Sequence, residues 1–462
     1  MAKSPFAKRE ESYELSRRAL IKWTVAAGAA LGVSRSKIFD ILEGSAGKGT
    51  AFAAAANPTT RSVHLVAGNG GAAWFQLLWP QVDIAMANNP NFAWQYPGAA
   101  TLVQGTFKPL ARGADTPFEN LPAQRQMTCF TCGSNETHTG QPTSLTLLNG
   151  SNIHAIAAVL QSTNPSVIPV ITFGQTSLGT AAGAPVAAQV GSADDAVGLF
   201  NSAASRAGGL LSTGSHASLY KAQYDAFAQL NRAANRSTQK KSYTTASGAA
   251  SFLGTNLAAK LQTTQEDLTA YGIDGNTRGN VRAIANGLIF AVKAFKMGLT
   301  NSLVIPAMND DPHGAWADGS AMTVPGQLRK VFDGFMNQLT STTDDVTQTT
   351  LADDCVITIA GDTTKEPRDR NGWPDGTPMN SNMMWVYGAG HLKTGWFGRV
   401  QANGNVEGFD ANGAAAAYNG NQTARFALAS VAYAIAKRDE RAIATFANGL
   451  TISGRFGNVK DT

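Results

Sequence analysis

Charge is scarce in this sequence. Asp, Glu, Lys and Arg make up 15% of its 462 residues, and the formal net charge is +5. No basic stripe gathers what charge there is, which argues against nucleic acid as a partner. Cysteine is nearly absent: Cys129, Cys132 and Cys355 are the whole complement. The second CxxC pair of a four-sulfur zinc site is therefore missing. Histidines number six, at positions 64, 138, 154, 216, 313 and 391, so an imidazole-rich site has few residues to draw on. No stretch reaches the roughly 20 apolar residues of a membrane-spanning helix, and none is expected to span in the mature chain. What is abundant is apolar (43%) and glycine (47 residues). A large core with a polar, weakly charged surface suits an exported protein.

The first residues agree. Ser16-Arg17-Arg18-Ala19-Leu20-Ile21-Lys22 matches the twin-arginine export signal, with Arg17 and Arg18 as its paired arginines. An uncharged run, Trp23–Val33, follows, and Ala51–Ala56 offers small-residue cleavage sites. Residues 1–56 are expected to be leader and cleavage region, and 57–462 one α/β domain in the periplasm or otherwise exported. The leader holds nine of the 37 basic and five of the 32 acidic residues, leaving 28 and 27. The mature chain is thus nearly neutral.

Chemistry concentrates in Asn301–Asp318. Leu303, Val304 and Ile305 read as a buried strand running into a turn that holds Asp310, Asp311 and His313. Two carboxylates and an imidazole at a strand end are what a divalent metal needs. The same turn chemistry also serves a plain Asx-rich surface loop. Upstream, Val281, Ile284, Leu288, Val292 and Phe295 recur at helical spacing and Gly298 marks a stop. Elsewhere, strands are expected at Ser62–Val66, Ser166–Phe173, Val356–Ile359 and Met383–Tyr387. Helices are expected at Asp194–Leu211, Leu219–Asn235, Ser247–Leu261, Gln327–Leu339 and Gln422–Phe446. Helices alternating with buried strands predict a mostly parallel sheet covered on both faces.

Met127–Gln141 reads as a polar loop. In an oxidising compartment its Cys129 and Cys132 are expected to form a local disulfide. Ser134, Thr137 and His138 are the nearest approach to a nucleophile-plus-base group, with Thr137 and His138 as the catalytic candidates. The turn Ala67-Gly68-Asn69-Gly70-Gly71 lacks the third glycine and the later acid of a dinucleotide site.

The order of these motifs resembles domain-of-unknown-function family 1501, a sulfatase-like branch of the alkaline phosphatase superfamily. The twin-arginine leader and the Gly-Asn-Gly-Gly turn come first. Lys-Ala-Phe-Lys-Met-Gly-Leu (293–299) then leads into the Asp311-Pro312-His313 turn, and Met-Trp-Val-Tyr-Gly-Ala-Gly (384–390) follows a polar loop. The resemblance implies an alkaline phosphatase-like sheet and a metal site acting on phosphate or sulfate esters. It also implies ligands that this chain lacks. The family's Gly-Gly-Asn-Asp-Gly turn has Asn69 in place of a ligand aspartate. Its Ser-Glu-Phe-Gly-Arg strand end falls on Ala360–Thr364, without the glutamate or arginine. Its Thr-Asp-His-Gly loop falls on Thr377-Pro378-Met379-Asn380, without the aspartate or histidine. Asp375, Asp369 or His391 would have to substitute.

The expected metal set is therefore Asn69, Asp310, Asp311, His313 and Asp375, holding a divalent cation weakly or not at all. A non-catalytic role in binding an envelope or extracellular partner is expected, with metal-dependent ester hydrolysis as the alternative.

Overall fold

Period-two alternation decides which face each strand presents, and two apolar faces require two covering layers. The computed structural model describes residues 59–94, 100–164, 166–200 and 256–460. The leader with Arg17 and Arg18, and the expected helix 219–235, lie outside the described residues. Of 194–211 and 247–261, Ala193–Leu199 and Leu257–Leu261 are seen as helix.

The strands are β1 (Arg61–Ala67), β2 (Thr101–Leu102), β3 (Ala111–Arg112), β4 (Thr128–Ser134), β5 (Val170–Phe173), β6 (Ala188–Val190) and β7 (Ser302–Pro306). They continue with β8 (Cys355–Gly361), β9 (Ser381–Tyr387), β10 (Gly395–Phe397), β11 (Arg399–Val400), β12 (Val406–Phe409) and β13 (Ala415–Ala417). Eight of them form one sheet in the order β10-β4-β9-β8-β1-β7-β5-β6. Every neighbouring pair is parallel except the two that involve β9. The architecture is α/β with a mostly parallel sheet.

One face of the sheet buries Val63, Leu65, Ile357, Ile359 and Trp385 under the helices Ala72–Leu78, Gly279–Lys296 and Val324–Ser341. The opposite face buries Phe130, Val356, Met384 and Val386 under Ile153–Leu160 and Gly420–Ile435. Among the described residues, no helix is long and apolar enough to cross a membrane.

Two expectations fail here. The final helix is not continuous: Gly420–Ile435 stops, Lys437 and Arg438 take positive φ (49° and 68°), and Glu440–Ala447 starts afresh with Asp439 as its cap. Asp439 accepts the backbone N–H of Arg441, and a capping carboxylate competes well with helix continuation. The CxxC pair is not in a loop either. It lies on β4, with Cys129 in the core on one face of the sheet and Cys132 in the core on the other. All three cysteines are free thiols. The expected Cys129–Cys132 disulfide does not form, because neighbouring strand positions of opposite parity point away from each other.

Parallel strands end together. Val66 pairs with Pro306 and Ala67 with Gly361, so β1, β7 and β8 finish on one edge, where β4 also ends and β9 begins. Backbones touch there: a Cβ on Gly71 would land on the Met308 carbonyl oxygen, and one on Gly361 on that of Ala67. Only glycine allows such an approach.

Candidate functional site

The loops after β7 and β8 leave this edge and bring their polar side chains to one point. That point is the ammonium of Lys365, four residues beyond the end of β8, with its side chain wholly buried. Lys365 Nζ lies 2.6 Å from Asp311 Oδ1 and 2.9 Å from His313 Nε2, and it also donates to Asp375 Oδ1. An ammonium has three hydrogens, and here each has its own acceptor. His313 Nδ1 sits 3.0 Å from the Gly372 carbonyl oxygen, to which it must donate. Nε2 therefore carries the lone pair that accepts from Lys365.

The other oxygens of the carboxylates face outward. His138 Nε2 donates to Asp311 Oδ2 at 2.8 Å, and His313 Nε2 is 3.3 Å from Asp311 Oδ2 and 3.5 Å from Asp375 Oδ2. Ligand atoms of His138, Asp311 and Asp375 all lie within 4.8 Å of one another. Burial alone would raise the Asp311 pKa. The bonds from Lys365 and His138 outweigh that and hold it below the usual carboxylate range.

Behind the cluster, Asp362 ties three loops together. Its Oδ1 accepts Gly70 N–H and its Oδ2 accepts Thr139 N–H, both at 2.7 Å. Burial pushes its pKa up to about 6, against the pull of those two N–H groups. By holding Thr139, Asp362 fixes the backbone next to His138.

The sequence candidates divide accordingly. Asp311, His313 and Asp375 converge, and His138 joins them as a partner of Asp311. Thr137, expected beside His138 as a catalytic residue, is exposed and contributes none of the cluster's bonds. Asp310 turns away to pair with Arg278, whose guanidinium covers the Trp74 ring at 5.2 Å. Asn69 takes the left-handed position (φ 49°) of the β1 turn. Its neighbour Gly70 packs on Asp311, yet no hydrogen bond joins the Asn69 amide to the cluster among the described residues.

Of the suggested substitutes, His391 is far off beyond the other end of β9, beside Arg438. Asp369 lines a neighbouring cavity. Lys365 and Asp362 were missed. The available signal was their place directly after a buried strand, where a charged residue has to face the strand-end cleft. Comparison with protein-family models, curated proteins and solved structures finds no match.

Proposed function

We propose that this is an exported protein of sulfatase-like ancestry whose cation position is filled by its own lysine, so that the cleft binds a ligand without metal-dependent turnover. The observation that carries the reading is the Lys365 ammonium, buried and triply bonded between two carboxylates and an imidazole. A metal at the same point would have to displace a neutralising group tethered to the chain, at the cost of those three bonds.

The family resemblance supports this from another side. Shifted by one residue, Gly361-Asp362-Thr363-Thr364-Lys365 carries an acid and a base at the spacing of the glutamate and arginine in Ser-Glu-Phe-Gly-Arg. In this alignment the strand-end charges are retained in type, and lysine gives a compact point charge in place of a planar fork. Export by the twin-arginine route belongs to the same proposal. Replacing Arg17 and Arg18 by lysine should leave the protein in the cytoplasm.

Metal analysis of the folded mature protein tests the reading, together with Lys365→Ala. The wild type is expected to carry far less than one equivalent of zinc, manganese or magnesium. Lys365→Ala, which vacates the cation position, is expected to bind zinc with a measurable thermal shift. Stoichiometric metal in the wild type, lost on His138→Ala, would overturn it. A second reading, a metal-dependent hydrolase of phosphate or sulfate esters, is favoured by one observation: His138, Asp311 and Asp375 offer three ligand atoms outside the lysine. A metal there would supply Lewis-acid stabilisation of an ester oxygen. Its test is metal-stimulated cleavage of an aryl phosphate or aryl sulfate by the wild type.

A further inference from the structure

Next to the cluster lies an open cavity of about 930 Å³, which shares His313 with it. We propose that this cavity is the ligand subsite of the cleft and takes a neutral saccharide. The inference rests on the binding reading above and names its ligand class.

Size comes first: the cavity stands near the upper end of the usual range for small-molecule sites, with room for roughly two or three linked sugar rings. Charge comes next. The lining carries one cation, Arg370, and one carboxylate, Asp369. The far side of His313 adds Asp311 and Asp375 with the Lys365 ammonium between them, making three carboxylates to two cations. A polyanion would meet more carboxylates than cations there. Chemistry completes the argument. The Asn91 and Asn371 amides both donate to and accept from hydroxyls, while Asp369 accepts and Arg370 donates.

Between them stands Trp316, its ring held by the Arg370 guanidinium 4.3 Å above its centroid and by the Trp373 ring at 6.1 Å. A ring fixed in advance gives up little freedom when a ligand arrives. An apolar ligand would desolvate the Asn91 and Asn371 amides without offering them a hydrogen bond.

Calorimetric titration of the mature protein with cellotriose, chitotriose and maltotriose tests this, with glucose 6-sulfate as the anionic comparison. At least one neutral trisaccharide is expected to bind saturably, and glucose 6-sulfate more weakly or not at all. Asn371→Ala should weaken binding by about tenfold. Gly314→Phe adds bulk to the lining: a Cβ at Gly314 meets nothing within 4 Å, an unchanged melting temperature is the control for folding, and binding should then be lost. The proposal is overturned if none of the three trisaccharides binds, if binding survives Gly314→Phe, or if the sulfate ester binds more tightly than all three. Metal content reads the lysine proposal separately. Zinc found in the wild type would sink that reading while leaving saccharide binding intact.

Discussion

Two histidine pairs in this protein sit about as differently as histidines can. His64 on β1 and His154 on the helix Ile153–Leu160 are stacked in the interior, ring centroids 4.7 Å apart. His64 Nδ1 meets Thr358 Oγ1 at 2.8 Å, and His154 Nδ1 meets the Ser177 carbonyl oxygen at 3.4 Å. Each has only an uncharged partner. Burial drives both pKa values down, that of His64 further because of His154, and that of His154 to about 4 despite its bond to Ser177.

At the strand ends, His138 and His313 are nearly half exposed and share Asp311, with Asp375 and Lys365 beside them. The same side chain is a neutral packing unit in one place and part of a charge network in the other. The comparison teaches that an imidazole stays neutral among uncharged buried partners and joins a charge network where strand-end loops bring carboxylates and a lysine beside it. Imidazole elsewhere in the sheet is kept uncharged.

The largest expected effect comes from removing the charge that holds the strand-end network together. Lys365→Ala leaves Asp311 and Asp375 facing each other uncompensated. With those carboxylates partly exposed, the loss should be about 2–3 kcal/mol, read from urea midpoints at pH 7. Saturating zinc should restore much of it.

The interior pair responds to acid. A histidine whose folded pKa lies below its unfolded value takes up its proton more readily unfolded. Its stabilising contribution is complete above pH 6.5 and is lost as pH falls toward the folded value, about 4 for His154. Asp362, raised to about 6, works in the opposite sense and offsets part of the loss. Comparing wild type with His154→Leu isolates the histidine: between pH 7 and 5 the variant should lose about 2 kcal/mol less stability than the wild type. Equal acid slopes would break the contrast.

On the exposed side, His138→Ala should cost under about 1 kcal/mol, because pairs open to solvent contribute little. Smallest of all, denatured unreduced protein should titrate three thiols, and a reductant should leave the melting temperature unchanged.

Much of the scaffold was legible in the sequence because it follows from periodicity. The stripe from Val281 to Phe295 became the helix Gly279–Lys296, and Leu303–Ile305 became β7. Strand-end convergence was legible as well, since Asp311 and His313 follow that strand directly. The CxxC segment was misread because hydroxyl-rich composition suggested a loop, while β4 is held in place by β9 and β10 on either side. Long-range pairing of this kind leaves no local trace. Lys365 escaped for a related reason. A lysine opening a polar loop looks solvated, and its burial depends on Asp311 and Asp375, which reach it from 54 residues before and 10 residues after in the chain.

The contacts of Gly71 with Met308 and of Gly361 with Ala67 put main chain directly against main chain at the ends of β1, β7 and β8. Such a joint works as a jig: the attachment points of the loops are set by peptide geometry, whatever side chains the loops carry. Exposed residues such as Asn91 and Asn371 can then be exchanged one at a time without the frame shifting under them. A lineage can thus rewrite what this edge binds while inheriting its alignment unchanged. By the same logic the two glycines are the least replaceable residues near the cleft, although neither offers a side chain to any ligand.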